Sequence, residues 1–118
     1  MKAVLLVAHG SRKTQTNDVF FGILELIRKR MPGTIVDGAF MSFNEMNIEF
    51  KLEELIQKGA KEITIVPYFL FSGNHVKNTI PFKVEKILQA YPDVTAVYKE
   101  SLGIDERLAD IIVDRILE

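Results

Sequence analysis

No cysteine occurs in this 118-residue chain, and that one absence removes disulfides, thiolate metal sites and thiol nucleophiles together. Any metal ion has to be held by nitrogen and oxygen donors, and the composition fits a reducing compartment, with a cytoplasmic protein the expectation. Histidine is scarce as well, with two copies, His9 and His75. Neither charge is in excess: 15 Lys and Arg stand against 16 Asp and Glu, a formal net charge of -1. No stretch concentrates basic residues as a nucleic-acid footprint would, so nucleic acid is not an expected partner. Nor is there an apolar stretch of the ~20 residues that spans a bilayer, so no membrane association is expected. The apolar run Ala3–Ala8 is shorter than a signal-peptide core and has no small-residue cleavage pattern after it, so it reads as a buried strand. Neither G-x-G-x-x-G nor G-x-x-x-x-G-K-[ST] follows that run, which leaves dinucleotide and P-loop chemistry without a phosphate cradle. A phospho-acceptor signalling domain would place aspartates at the strand ends, where this chain has His9 and Pro67. A phosphohistidine enzyme would want arginine where Ala8 stands.

What is present is alternation. Four segments read as strands, Ala3–Ala8, Thr34–Phe40, Glu62–Val66 and Val94–Tyr98, and the first and third are aliphatic runs suited to burial on both faces. Between and after them come apolar residues at helical spacing: Val19, Phe20, Ile23, Leu24 and Ile27; Ile48, Leu52, Leu55 and Ile56; Ile80, Val84, Ile87 and Leu88; Leu108, Ile111, Ile112 and Ile116. Pro32-Gly33 and Gly59 mark helix ends, Asn47 and Asp105 suit helix starts, and Pro92-Asp93 leads into the fourth strand. The order βαβαβαβα predicts one α/β domain over 1–118, a doubly wound four-stranded parallel sheet with right-handed crossovers, helices on both faces and the flavodoxin-like strand order 2-1-3-4.

In such a sheet ligands bind beyond the carboxyl ends of the strands, and both histidines fall there. His9 leads Gly10, Ser11 and Arg12: glycine admits close backbone approach, serine offers a hydroxyl, and the guanidinium suits a carboxylate. His75 follows Leu70, Phe71, Ser72, Gly73 and Asn74 in a connection longer than the usual 2–6 residues, whose aromatic content suggests an apolar wall, with Phe69 as lining or support. The loop after the second strand carries Met41, Ser42, Phe43, Asn44 and Glu45. A neutral imidazole ligates a divalent metal or accepts a proton, and two of them make an open metal site rather than a closed structural one. The competing structural readings are ordinary ones: His9 bonded within its turn, His75 an exposed loop residue, Glu45 a surface carboxylate near a helix start.

The ordered set His9-Gly10-Ser11-Arg12, Val66-Pro67-Tyr68-Phe69-Leu70, Gly73-Asn74-His75-Val76, Ile80-Pro81 and Leu102-Gly103 resembles the small class II tetrapyrrole chelatases, nearest the short sirohydrochlorin cobaltochelatases of single-lobe form. The resemblance runs the length of the chain. It implies insertion of Co2+ into sirohydrochlorin during anaerobic cobalamin synthesis, with nickel or iron as alternative ions. It gives His9 and His75 the role of metal ligands and His9 that of proton acceptor. It places substrate contacts at Gly10, Ser11, Arg12, Glu45, Leu70, Phe71, Ser72, Gly73 and Asn74. No prosthetic group is implied; the metal is a substrate, and the chain is expected to pair as a homodimer. The chain departs from many relatives at Ser42, Met46 and Thr79, where acidic residue, proline and aspartate respectively are usual, and Glu45 remains as the carboxylate of its loop. A tetrapyrrole or metal carrier without turnover is the competing function.

Overall fold

A computed structural model of the chain describes residues 1–11, 14–41 and 45–118, with side chains of the first helix described from residue 17 onward. Four parallel strands, β1 (Lys2–Ala8), β2 (Ile35–Phe40), β3 (Glu62–Pro67) and β4 (Thr95–Tyr98), form one sheet in the order β2-β1-β3-β4. This is the expected α/β arrangement and strand order. The aliphatic runs predicted to be central, β1 and β3, are the inner pair, in register from Lys2 opposite Glu62 to Val7 opposite Pro67. That register brings the carboxyl ends of β1 and β3 side by side. Boundaries move by a residue: β2 and β4 begin one residue later than the apolar pattern suggests, and β3 runs on to Pro67.

Period-two alternation splits the sheet residues between two cores. Ala3, Leu5, Val7, Ile63 and Ile65 point to the side carrying α2 (Ile48–Gln57) and α3 (Ile80–Leu88) and pack with Ile48, Leu52, Leu55, Val84 and Leu88. Leu6, Ala8, Val36 and Phe40 point the other way, onto Phe20 and Leu24 of α1 (Thr14–Arg30). Each such aliphatic side chain, removed from water, contributes roughly 1.5–3 kcal/mol before the entropy of ordering is subtracted. Gly38 makes the α1 contact possible: a Cβ there would stand 2.5 Å from Leu24 Cδ1 and 2.6 Å from Phe20 Cε2.

The expected capping is present. The Asn47 side chain accepts from Phe50 N at the start of α2, and the Asp105 side chain accepts from Arg107 N at the start of α4 (Glu106–Leu117). Lys51 of α2 reaches back to Asp37 of β2 at 2.8 Å and to Glu54 at 2.8 Å. Burial pulls the Lys51 ammonium downward, but these two carboxylates outweigh it and hold its pKa above the ordinary lysine value. Two expectations are corrected. His75 is not in an irregular loop but opens a single π-helical turn, His75–Thr79, that runs directly into α3. The last helix, although amphipathic as its sequence suggested, lies on neither face: no residue of α4 is buried.

Candidate functional site

Everything at the carboxyl edge follows from the adjacency of β1 and β3. After Ala8 the chain emerges at His9, and Gly10 adopts φ 91, a left-handed conformation that a residue with a Cβ rarely takes, so the turn after the first histidine calls for glycine. Ser11 is pinned by Asn17 from the first turns of α1: Asn17 Oδ1 accepts from Ser11 N at 3.1 Å, and Asn17 Nδ2 donates to Ser11 O at 2.9 Å. Asn17 is buried, so this two-point clasp fixes the loop from beneath.

From β3 the chain continues through Tyr68, whose N–H donates to Val7 O at 2.7 Å, and Phe69 before reaching His75. The Ser72 and Ser101 hydroxyls are 2.7 Å apart, and Lys77 N donates to Gly73 O at 3.0 Å. These bonds shape the connection into a tight entry to the π-helical turn. The two imidazoles, distant in sequence, meet there: their ring centroids are 5.6 Å apart with the planes inclined at 71°. Phe69 backs the second ring at 6.5 Å. His75 Nδ1 lies 3.4 Å from Thr79 Oγ1, one helical turn on, and His9 Nδ1 lies 3.3 Å from Gly10 O. A ring nitrogen engaged as donor leaves the lone pair on the other, which is how a neighbouring acceptor sets the ligating atom.

The remaining candidates divide. Gly10, Ser11, Ser72, Gly73 and Asn74 lie on the same edge as the histidine pair, with Asn74 Oδ1 accepting from Asn78 Nδ2 at 2.8 Å. Leu70 and Phe71 are 55% and 80% exposed, and Phe69 is the aromatic ring set against His75. Glu45 is exposed. Arg12 and Ser42, with the rest of 42–44, lie outside the described residues. His9 borders a hollow of about 350 Å³ that it shares with Gly10, Asn17, Phe20, Phe40 and Tyr68, and His75 is not part of its lining. Among the described residues no cluster of three or more His, Asp or Glu is placed to hold a metal. Asn17, Thr79 and Ser101 are positioning residues that spacing alone did not single out as such. A polar residue in the first turns of the helix after His9, and one four residues beyond His75, were the available signals.

Among the described residues no helix is long and apolar enough to cross a membrane. The family model CbiX matches residues 3–118. The chain belongs to the CbiX family. This CbiX chain is 38% identical over 118 residues to the sirohydrochlorin ferrochelatase of Priestia megaterium, covering all of itself but 44% of that protein. It is 33% identical to the sirohydrochlorin cobaltochelatase of Methanococcus maripaludis, covering 98% of itself and 97% of that protein. Its fold superimposes with a TM-score of 0.91 at 28% identity on the crystal structure of the sirohydrochlorin chelatase SirB from Bacillus subtilis subspecies spizizenii in complex with cobalt, over 98% of this chain and 49% of that one. The CbiX chain thus spans about half the length of some relatives and nearly all of others.

Proposed function

We propose that this chain is a metal chelatase that inserts Co2+ into sirohydrochlorin, that residues 1–118 form one lobe of chelatase type, and that two such lobes pair as a homodimer in the cytoplasm. The observation that carries the reading is the 5.6 Å approach of the His9 and His75 rings at the carboxyl edge of the sheet. Insertion converts a free divalent ion and a macrocycle bearing two pyrrole N–H groups into the metallated macrocycle and two protons. The site therefore has to hold the ion through neutral donors, keep coordination positions open to the pyrrole nitrogens, and take up protons. Two imidazoles meet the first two demands, and His9, beside the Gly10 turn, is the assigned proton acceptor. Gly10, Ser11, Arg12 and the Ser72–Asn74 backbone are the assigned contacts for the peripheral carboxylates, with Leu70 and Phe71 offered to the macrocycle face and Glu45 to a second proton. Holding ion and macrocycle together turns a bimolecular encounter into a positioned step, worth up to roughly 7–11 kcal/mol in ideal cases. No prosthetic group is needed. Cobalt is proposed because relatives matched nearly end to end are named cobaltochelatases; iron, named for a longer relative, and nickel are the competing ions.

The test is an anaerobic optical assay of metallated product with Co2+, Ni2+ or Fe2+ and sirohydrochlorin. The parent is expected to accelerate insertion of cobalt over the protein-free background, with His9→Ala and His75→Ala returning the rate to background. Parental rates in both variants would refute the assignment. Stoichiometric retention of ligand without acceleration would replace it with a carrier.

A further inference from the structure

The hollow that His9 borders has a floor of aromatic rings delivered by three different parts of the fold. Phe20 comes from α1, Phe40 from the end of β2 and Tyr68 from the residue after β3. Phe20 is the hub: its ring centroid lies 5.0 Å from that of Phe40 and 5.8 Å from that of Tyr68, with the planes inclined at 53° and 42°, a separation and tilt at which aromatic rings attract. Consecutive residues of an extended chain point to opposite faces, and Tyr68 accordingly packs with the core under α1 while Phe69 packs with the other core. Phe69 is thereby set against His75, and Tyr68 enters the hollow beside His9.

The floor is closed and the rim is open. Phe20 and Phe40 are buried, whereas Val19 at the rim is 64% exposed and Tyr68 is half-buried. The Tyr68 backbone is fixed by its bond to Val7 O, but its hydroxyl has no hydrogen-bond partner among the described residues. An aromatic-lined hollow of about 350 Å³ that carries a few polar groups, here the His9 ring, the Asn17 amide and the Tyr68 hydroxyl, has the make-up of a small-molecule site. A macrocycle of four pyrroles exceeds that volume; a single pyrrole with its side chains does not. His9 is common to the hollow and to the histidine pair.

We propose that this hollow is a subsite for one edge of the macrocycle: Phe20, Phe40 and Tyr68 receive a single pyrrole ring, and the Tyr68 hydroxyl donates a hydrogen bond to a carboxylate that the ring carries. This assignment rests on the chelatase reading and adds to it a residue that recognises the tetrapyrrole rather than the ion. A hydroxyl bonded to a carboxylate makes a charge-assisted bond, stronger than one to a neutral acceptor. Tyr68 therefore selects macrocycles that keep their acidic side chains over esterified ones.

The test measures the two ligands apart. Without metal, sirohydrochlorin binding is followed optically, and Tyr68→Phe should weaken it about tenfold, while the variant's affinity for Co2+ by calorimetry and its melting temperature stay at parental values. Methyl-esterified sirohydrochlorin, which lacks the charged acceptor, should bind the parent and Tyr68→Phe alike. Val19→Glu, which sets a carboxylate on the exposed rim, should weaken sirohydrochlorin binding roughly two- to fivefold, less so in high salt, with Val19→Gln at parental affinity. Equal sirohydrochlorin affinity of the parent, Tyr68→Phe and Val19→Glu, or an equal loss toward the ester, would overturn the subsite. A parent that binds no sirohydrochlorin would overturn the chelatase reading beneath it, and the first titration separates that outcome from the others.

Discussion

If His9 and His75 hold a single ion, removing either ring should destroy what the other contributes, and a double-mutant cycle on cobalt binding measures that. With a metal–nitrogen bond of roughly 2.0–2.1 Å and about 1.15 Å from ring nitrogen to ring centre, each centroid stands about 3.2 Å from a shared ion. The observed separation of 5.6 Å then subtends an angle of roughly 120° at the metal, compatible with an open four- or five-coordinate site. Calorimetric titration of the parent, His9→Ala, His75→Ala and the double variant with Co2+ should show each single substitution removing most of the affinity and the double removing little more. The expected coupling is about 1.5–3 kcal/mol, the upper part of the range for side chains in contact, or roughly 10- to 150-fold in affinity. Both residues are exposed, so all four proteins should melt alike. Losses that add to within about 0.5 kcal/mol would mean that the rings act on separate ions, and the shared-ion reasoning would be refuted.

Three further outcomes are expected. Gly38→Ala drives a methyl group into Phe20 and Leu24 and should cost about 1–3 kcal/mol, a fall in melting temperature of roughly 4–12 °C for a chain of this length; an unchanged melt by calorimetry would show that this contact relaxes freely. Thr79→Val removes the hydroxyl beside His75 Nδ1 and should weaken cobalt binding by about tenfold or less, since the 3.4 Å contact is long, with Thr79→Ser restoring it; equal affinity of all three chains would remove Thr79 from the site. The Asp105 carboxyl is held well below its ordinary value by hydrogen bonds first from the Arg107 side chain and then from its backbone N–H. A depressed folded-state pKa contributes stability above the ordinary carboxylate value, and that stability is lost as pH falls, so α4 should fray in acid. Far-UV circular dichroism from about pH 5 to about pH 2 should show a loss in the parent that Asp105→Asn, whose amide still caps, shows less; identical curves would exclude the cap as the cause.

Local features of the sequence determined most of the architecture. Aliphatic runs at β1 and β3 call for inner positions in a parallel sheet, and the order β2-β1-β3-β4 gives them those positions, although the face of β3 toward α1 is only half-buried. Asn47 and Asp105 cap through bonds to residues two or three positions away, and the apolar faces of α1, α2 and α3 are set by 3.6-residue periodicity; both are short-range properties that a linear reading captures. That His9 and His75 belong to the connections that follow β1 and β3 was legible for the same reason.

What tertiary structure alone decided are the distances between residues remote in sequence. That His9 and His75 approach within a ring's width depends on β1 and β3 being neighbours in register, and on a π-helical turn that lifts His75 out of the loop where its spacing had placed it. Asn17 under Ser11 and Ser101 beside Ser72 are polar contacts of the same kind, with no periodic signature. The amphipathic pattern of α4 fixed that it would be a helix with an apolar face. Periodicity specifies that such a face exists but carries no information about which molecule covers it, and only the packed chain, with α2 and α3 on one side and a single helix on the other, leaves that face without a partner of its own.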